Sequence, residues 1–291
     1  MSAHDNIGIV YNPYTPRARQ LAHQLAEKLG LGKSSWVLPT AEMEEQGPSP
    51  STSLIITVGG DGTILRAAQQ AAPLEIPILG INLGRVGFMT ELGAEEALER
   101  IEEYINGQVW LEERTMLQAR IVSGGARDPE EPRPQALNDV VVGRSAVSRL
   151  VHLEARVDGT LINTYRADAI IVATATGSTG YALSAGGPIL YPQSRDLLLK
   201  PVAPHLGLAA GLVLSQDSVV DITLRSEQQA VLSVDGHMDM VLAPGEAVEV
   251  KRSPYTTRFL RAHPPSHFYA TLARRLNPDI GSTDPRAAPL F

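Results

Sequence analysis

The stretch Ser53-Leu-Ile-Ile-Thr-Val-Gly-Gly-Asp-Gly-Thr63 is an apolar run that ends in a glycine-rich turn with one carboxylate, Asp61. The chain continues as Ile64-Leu-Arg-Ala-Ala68, so we predict a strand, a turn and a helix in that order. In an open parallel sheet, ligands bind beyond the carboxyl ends of the strands, and a glycine turn lets backbone N–H groups approach phosphate at a helix start. Asp61 is therefore predicted to lie where phosphate chemistry can take place.

Two better-known phosphate motifs are absent from the sequence. It contains neither GxxxxGK[ST], the P-loop, nor GxGxxG, the dinucleotide fingerprint. A tight turn whose glycines relieve backbone strain, with Asp61 as a helix cap, explains the same residues. The turn by itself leaves both interpretations open.

Composition narrows the class of partner. The net charge of −7 and the pI near 5.5 disfavour a general nucleic-acid binder, since no basic run is present to neutralise phosphates. A small molecule is the expected partner. The absence of cysteine excludes disulfides, thiolate metal sites and cysteine nucleophiles.

The length and the apolar pattern bear on domains and location. At 291 residues the chain exceeds the usual size of one domain, which favours two. The sequence begins without a charged region followed by an apolar one, and no apolar stretch approaches the length of a membrane span. We expect a cytoplasmic protein that binds no membrane.

Apolar strands and amphipathic helices alternate through residue 107, which predicts an α/β domain with a parallel sheet over residues 1–110. Residues 40–53 hold acids, prolines and serines without periodicity, so they are predicted to form a surface loop. From Trp110 short β-rich runs follow, with an Asp158-Gly159 turn, which predicts a mostly-β domain over residues 111–265. Residues 266–291 are predicted to form a closing helix and a poorly ordered tail that pack back on the first domain.

The second half contains Thr174-Ala-Thr-Gly-Ser-Thr-Gly-Tyr-Ala-Leu-Ser-Ala-Gly-Gly-Pro188. Together with GGDGT at residues 59–63, Gly80-Ile-Asn-Leu-Gly-Arg-Val-Gly-Phe88 and the pair Asn138-Asp139, this block closely resembles the signature of the NAD kinase family. Members usually have proline where Ala175 stands and alanine where Gly180 stands. Neither departure removes a reactive group.

The resemblance implies transfer of the γ-phosphoryl group of ATP to the 2′-hydroxyl of the adenosine ribose of NAD, which gives NADP. It also implies Mg²⁺ or another divalent cation as cofactor, and a homo-dimer or homo-tetramer. No metal ligand is assigned from the sequence. The phosphoryl donor could also be another nucleoside triphosphate or polyphosphate.

The first domain supplies the candidate chemistry. A carboxylate can accept the proton of an alcohol or orient it, which suits Asp61, although the same group could anchor the metal. Gly60, Gly62 and Thr63 are candidate nucleotide contacts at the turn. Arg66 lies one turn into the helix, where the family has a basic residue facing phosphate, and a solvated helix arginine is the alternative.

Candidate NAD contacts come from the second domain. Asn138 and Asp139 open a strand, where an amide beside a carboxylate can recognise a base or a ribose, or can merely cap the strand. Asp168 heads another strand and could accept bonds from ribose hydroxyls or the nicotinamide amide, or could be a turn aspartate. Thr179 and Gly180 begin a predicted helix and either bind a ligand oxygen or cap that helix.

Five further residues complete the predicted site. Tyr181 offers a ring or a hydroxyl, and Ser184 shares its helical face. Arg149 and Arg166 match positions near the family's dinucleotide site and could pair with pyrophosphate, although surface arginines are common. His237 stands where many members have glutamine; it is otherwise a surface histidine in an Asp-Gly turn.

Two other functions fit part of the pattern. A lipid kinase of the diacylglycerol or sphingosine type shares the GGDGT turn and a β-rich second domain, but the block at residues 174–188 disfavours it. A nucleotide sensor that has lost catalysis is disfavoured by the presence of Asp61.

Overall fold

The structure, a computed structural model, describes residues 6–32, 34–84, 87–107, 109–122, 133–145, 150–205 and 208–276. The chain divides into two compact units. The first unit consists of the residues up to Glu112 together with those from Arg258 onward, and the second unit runs from Glu113 to Thr257. Arg149 and the predicted tail after residue 276 lie outside the described residues, as do residues 85 and 86 of the glycine-rich segment.

The elements of the first half are, in chain order, β1 (Ile7–Tyr11), α1 (Pro16–Lys28), β2 (Trp36–Pro39), α2 (Thr40–Gln46), β3 (Leu54–Val58), α3 (Asp61–Ala71), β4 (Ile78–Asn82), β5 (Leu92–Gly93), α4 (Ala94–Asn106) and β6 (Trp110–Val122). The second half has β7 (Gln135–Ala136), β8 (Asp139–Arg144), β9 (Val151–Val157), β10 (Thr160–Ala167), β11 (Ala169–Ala173), α5 (Tyr181–Ser184), β12 (Leu197–Val202), β13 (Leu212–Leu214), β14 (Val220–Leu224), β15 (Ala230–Val234), β16 (Met238–Leu242), β17 (Ala247–Arg261) and α6 (His267–Leu276).

The first unit is built on a parallel sheet with the strand order β2-β1-β3-β4, as the strand–helix alternation predicts. One face packs against α1 and α4 through a core that includes Leu25, Ile56 and Ile101. The other face receives α3, because a Cβ atom on Gly80 would lie 2.8 Å from Cδ1 of Ile64. Helices therefore cover both faces, which leaves the carboxyl ends of the strands as the place for a ligand.

The second unit is mostly antiparallel β-structure. Six strands form a sheet with the order β13-β12-β11-β8-β15-β16, and β10, β9, β14 and β17 pair in a second antiparallel set. The Asp158-Gly159 turn joins β9 to β10 with both residues at positive φ, 50° and 77°. The predicted fold class, an α/β domain followed by a mostly-β domain, is confirmed.

One local prediction was wrong. Residues 40–53 do not form a structureless loop, because α2 occupies Thr40–Gln46. The side chain of Met43 is fully buried, and Glu44 forms an ion pair with Arg66 of α3 at 2.8 Å. A helix of seven residues with one apolar anchor depends on such tertiary contacts, which the local pattern cannot reveal.

Met43→Ala is expected to destabilise the protein by about 2–4 kcal/mol, because it leaves a cavity beneath α2. Glu42→Ala, an exposed position on the same helix, is the matched control and should change stability by less than about 0.5 kcal/mol. Urea denaturation of the two variants measures the difference. Equal midpoints would show that α2 is not held by Met43.

Candidate functional site

Asp61 lies at the first position of α3, directly after the carboxyl end of β3. Neighbouring strands end beside it, since the Gly59 N–H donates to the carbonyl of Ile81 at 3.0 Å and the Asn12 N–H to that of Val58 at 3.1 Å. No side chain caps the helix at Gly60. Asp61 is thus not the N-cap of α3, and its carboxylate is available for another role.

The segment after β4 holds the Asp61 carboxylate from one side. The N–H groups of Met89 and Phe88 donate to the carboxylate, and a Cβ atom on Gly87 would lie 2.2 Å from Oδ1. Oδ1 itself is buried and has no hydrogen-bond partner within the described part of the chain. An unpartnered buried carboxylate oxygen is costly, which is typical of a group that meets a ligand.

Burial raises the pKa of Asp61 above its usual value. The charges of Arg275 and Arg261 and the two N–H donors oppose this effect without cancelling it. A carboxylate with a raised pKa is a better proton acceptor than an exposed one.

The second unit contains a different arrangement of carboxylates. Asp235 is buried and accepts three backbone N–H groups, from Leu137 at 2.8 Å, Asn138 at 2.8 Å and Asp139 at 3.1 Å. The entry to β8 is thereby fixed in one conformation. Burial raises the pKa of Asp139 to about 7, and the charge of Asp235 adds to the shift.

The block from Thr174 folds against the same strand entry. The Thr174 hydroxyl donates to the carbonyl of Leu137 at 2.6 Å, and the Thr174 N–H donates to that of Asn138 at 2.9 Å. A Cβ atom on Gly177 would lie 2.1 Å from the Asn138 carbonyl oxygen, so this contact requires glycine. Oδ1 of Asn138 is buried without a partner in the part of the chain described here.

The residues at the entry to β8 help to line a cavity of about 350 Å³ in the second unit. Its walls are formed by Asn138, Asp139, Val141, Tyr181, Ser233, Asp235 and Gly236. Three of the predicted residues, Asn138, Asp139 and Tyr181, thus meet at one concave surface. The Asp139 carboxyl group and the Asn138 amide can recognise polar groups on a ligand, while the half-exposed Tyr181 ring can stack on a base.

The other predicted residues of the second unit that the structure describes do not line that cavity. Asp168 forms an ion pair with Arg144 at 3.2 Å, and the Thr179 hydroxyl donates to the carbonyl of Thr176 at 2.9 Å. Arg166 and Ser184 are exposed, and His237 is half-buried with Nδ1 3.2 Å from the Asp235 carbonyl.

The guanidinium of Arg66 is held by both oxygens of Glu44, at 2.8 and 2.9 Å. A phosphate would therefore compete with Glu44 for this arginine.

Two important residues were not predicted as part of the site. In the sequence Asp235 stands out only as a neighbour of His237, and Gly87 only as part of the glycine-rich motif at residues 80–88. The Asp-Gly pair after β15, with φ values of 49° and 67°, could have indicated a fixed turn carrying a carboxylate. Its hydrogen-bond partners are 96 to 98 residues away, and no sequence spacing predicts them.

Comparison with known proteins identifies the family. The profile of the ATP-NAD kinase N-terminal domain matches residues 50–109, and that of the C-terminal domain matches residues 137–262. The NAD kinase of Dehalococcoides mccartyi is 42% identical over 273 residues, which cover 93% of this chain and 95% of that protein. The chain belongs to the NAD kinase family. Members of this family are phosphotransferases.

A second relative and one solved structure agree with this assignment, and another solved structure shares the fold. The NAD kinase of Chloroflexus aurantiacus is 38% identical over 282 residues, covering 94% of this chain and 98% of that one. The crystal structure of an NAD kinase from Archaeoglobus fulgidus in complex with ATP has a TM-score of 0.72 at 26% identity and covers 92% of this chain and 97% of the other. Yeast NADH kinase complexed with NADH has a TM-score of 0.81 at 24% identity, with coverage of 98% and 90%, a likeness of fold.

Neither a group of metal ligands nor a membrane-spanning helix is found among the described residues. Among them no three His, Asp or Glu side chains are grouped so that they could hold a metal ion. In the same part of the chain no helix is long and apolar enough to cross a membrane.

Asp139→Asn should change the pH dependence of stability. Because the pKa of Asp139 is raised from 3.8 to about 7, its stabilising contribution is complete below about pH 4 and is lost as the pH rises through 7. The asparagine variant lacks this loss, so its melting temperature relative to the wild type should increase between about pH 5 and pH 8. Thermal melts without ligand measure it.

Asp196→Asn, at an exposed aspartate of the same unit, is the control and should follow the wild type at every pH. A constant difference between Asp139→Asn and the wild type over this range would contradict the raised pKa.

Proposed function

We propose that this NAD kinase family member transfers the γ-phosphoryl group of ATP to the 2′-hydroxyl of the adenosine ribose of NAD, giving NADP and ADP. The observation that carries the proposal is Oδ1 of Asp61, which is buried and has no hydrogen-bond partner among the described residues, at a glycine turn beyond the carboxyl end of a parallel strand. Membership of the NAD kinase family supports the reaction. Oδ1 of Asp61 is the atom at which we propose that the 2′-hydroxyl of NAD binds.

In this mechanism Asp61 orients the 2′-hydroxyl and accepts its proton. A bond forms between the ribose oxygen and the γ-phosphorus, and the bond from that phosphorus to the β–γ bridging oxygen breaks, so that ADP leaves. The raised pKa of Asp61 suits it to this proton transfer. The fixed position of the carboxylate increases the reaction rate because the reacting atoms are already aligned when the substrate is bound.

Backbone groups at the start of α3 are the proposed phosphate contacts. Among the described residues, no atom beyond the chain neighbours and the backbone of α3 itself lies within 4 Å of where Cβ atoms on Gly60 and Gly62 would stand, so a phosphate can approach the main chain there. The helix start presents N–H groups and a positive dipole end to it. Thr63 packs against Gly59, so its proposed role is to shape the turn.

A divalent cation fits the residues that are present. Mg²⁺ is commonly bound through one or two carboxylates and the substrate phosphates rather than by a cage of protein ligands. In the alternative to its role as proton acceptor, Asp61 is the carboxylate of this turn that would hold such an ion together with the triphosphate. When bound, the ion would neutralise charge on the transferring phosphoryl group.

The second unit is the proposed NAD-binding domain. Asn138, Asp139 and Tyr181 would hold the dinucleotide in the cavity described above, where Asp139, with a pKa of about 7, can donate or accept a hydrogen bond. Further proposed contacts, supported by the resemblance to the family, are Arg149, Arg166, Asp168, Thr179, Gly180, Ser184 and His237. The same resemblance supports assembly as a homo-dimer or homo-tetramer and a cytoplasmic location.

Asp61→Asn is expected to reduce kcat for NADP formation by at least about a hundredfold, the scale of a positioned acid–base group. NADP is quantified with an NADP-specific dehydrogenase after incubation with NAD, ATP and Mg²⁺. Asp196→Asn is again the control, since it removes an exposed carboxylate, and it should retain wild-type activity.

The outcomes distinguish the functions. NADP formation that survives Asp61→Asn would remove Asp61 from the mechanism. A wild-type protein that binds NAD but forms no NADP with any phosphoryl donor would contradict the proposed activity and favour a nucleotide sensor.

A further inference from the structure

A buried ion cluster lies in the first unit, on the far side of the segment that holds Asp61. Arg261, near the end of β17, donates through Nε to Glu112 at 2.8 Å and through Nη1 to Glu91 at 3.1 Å. All three residues are less than 9% exposed. Two carboxylates thus share one guanidinium away from water.

The cluster is tied to the backbone at several points. Nη1 of Arg261 also donates to the carbonyl of Met89 at 2.9 Å. Glu91 accepts the N–H groups of Ala262 and His263, each at 3.0 Å. Burial disfavours the charged form of Glu91, but Arg261 and these donors outweigh it and hold the pKa of Glu91 below its usual value.

The same few residues face Asp61. Met89, whose carbonyl is held by Arg261, uses its N–H to hold the Asp61 carboxylate. Within this segment the Gly87 N–H donates to Oγ1 of Thr90 at 2.8 Å, which closes a tight turn. Residues 87–90 therefore lie between Asp61 on one side and Arg261 on the other, and a shift of Arg261 moves the donors that hold Asp61.

Stability alone is a weak reason for this arrangement. Replacing a buried ion cluster by apolar side chains is often neutral or stabilising, whereas removing one partner is costly. The guanidinium is also packed on the ring of Phe259, with Cζ 4.9 Å from the ring centroid, which restricts its rotation. A rigid fork that joins two carboxylates and one carbonyl is suited to fixing a backbone segment.

We propose that Arg261 is a positioning residue for Asp61, acting through Met89, and that Glu91 and Glu112 hold the guanidinium in place for this purpose. Arg261 touches no substrate in this proposal. The inference rests on the proposed role of Asp61, and the experiment separates failure of the one from failure of the other.

The chain offers a matched control in the second unit. Arg120 and Glu249 form another buried ion pair, at 2.7 Å, with side chains that are 9% and 5% exposed. Removing Arg120 takes the arginine from one buried carboxylate, which keeps Lys251 at 3.7 Å, whereas removing Arg261 takes it from two. In addition, Arg261 bonds the segment that holds Asp61, and Arg120 lies in the other unit.

The test measures kcat and KM for NAD and ATP in the wild type, Arg261→Met, Arg261→Lys and Arg120→Met, with kcat expressed per folded site counted by NAD titration. For Arg261→Met we expect kcat to fall by at least about tenfold, because small misplacements of a reacting group are costly. KM for NAD should change by less than about twofold. Arg261→Lys, which keeps the charge but not the planar fork, should recover only part of this loss and give a kcat between those of Arg261→Met and the wild type.

Arg120→Met should lose stability yet keep wild-type kcat per folded site. Wild-type kcat in Arg261→Met, or an equal loss in Arg120→Met, would overturn the proposal. If Arg261→Met yields too little folded protein, Glu112→Gln decides: a fall in kcat of at least about threefold is expected, and no fall overturns the proposal. Retained activity in Asp61→Asn would instead refute the role of Asp61 itself.

Discussion

The Asp61 carboxylate sits so close to the chain that a Cβ atom on Gly87 would lie 2.2 Å from Oδ1. This approach keeps one oxygen buried and without a donor from the described part of the chain, while the N–H groups of Phe88 and Met89 donate to the carboxylate. Leaving a polar atom in this state costs free energy that the rest of the unit must offset. The parallel sheet does so by fixing the turn after β3, and the segment after β4 does so by supplying the donors. A hydroxyl that enters the site would complete the hydrogen bonding of Asp61.

The second unit fixes its site by the opposite arrangement. Asp235 is fully used within the protein, since its two oxygens accept the N–H groups of Leu137, Asn138 and Asp139. Its negative charge and the shared burial keep Asp139 protonated to a higher pH than usual. One unit thus leaves a carboxylate oxygen open for chemistry, and the other uses a carboxylate to shape a binding surface. Both depend on main-chain N–H groups because these cannot move without moving the fold.

The local sequence pattern was enough to predict the strands and helices that have a clear apolar pattern of their own. The apolar run before the glycine turn predicted β3, and the alternation of strands with amphipathic helices through residue 107 predicted helices such as α1 and α4. Helix α2 was not predicted because tertiary contacts stabilise it, namely the burial of Met43 and the ion pair between Glu44 and Arg66 of α3. Its local sequence does not show these contacts. Asp235 and Arg261 were not predicted for a related reason. Their hydrogen-bond partners Leu137 and Glu91 lie 98 and 170 residues away in the sequence. The motifs identified candidate residues of the site. Only the structure shows that Oδ1 of Asp61 has no partner among the described residues and that Arg66 is already paired with Glu44.

Calorimetric titration, without a phosphoryl donor, measures the contact between Asp61 and the acceptor hydroxyl most directly. NAD and its analogue that lacks the adenosine 2′-hydroxyl are each titrated into the wild type and Asp61→Asn, which closes a double-mutant cycle. If the 2′-hydroxyl fills the open position at Oδ1, removing either group weakens binding, and removing both costs less than the sum, with a coupling of about 1 kcal/mol or more. Strictly additive losses would mean that Asp61 does not meet this hydroxyl, and would contradict its assignment as the group that receives the proton.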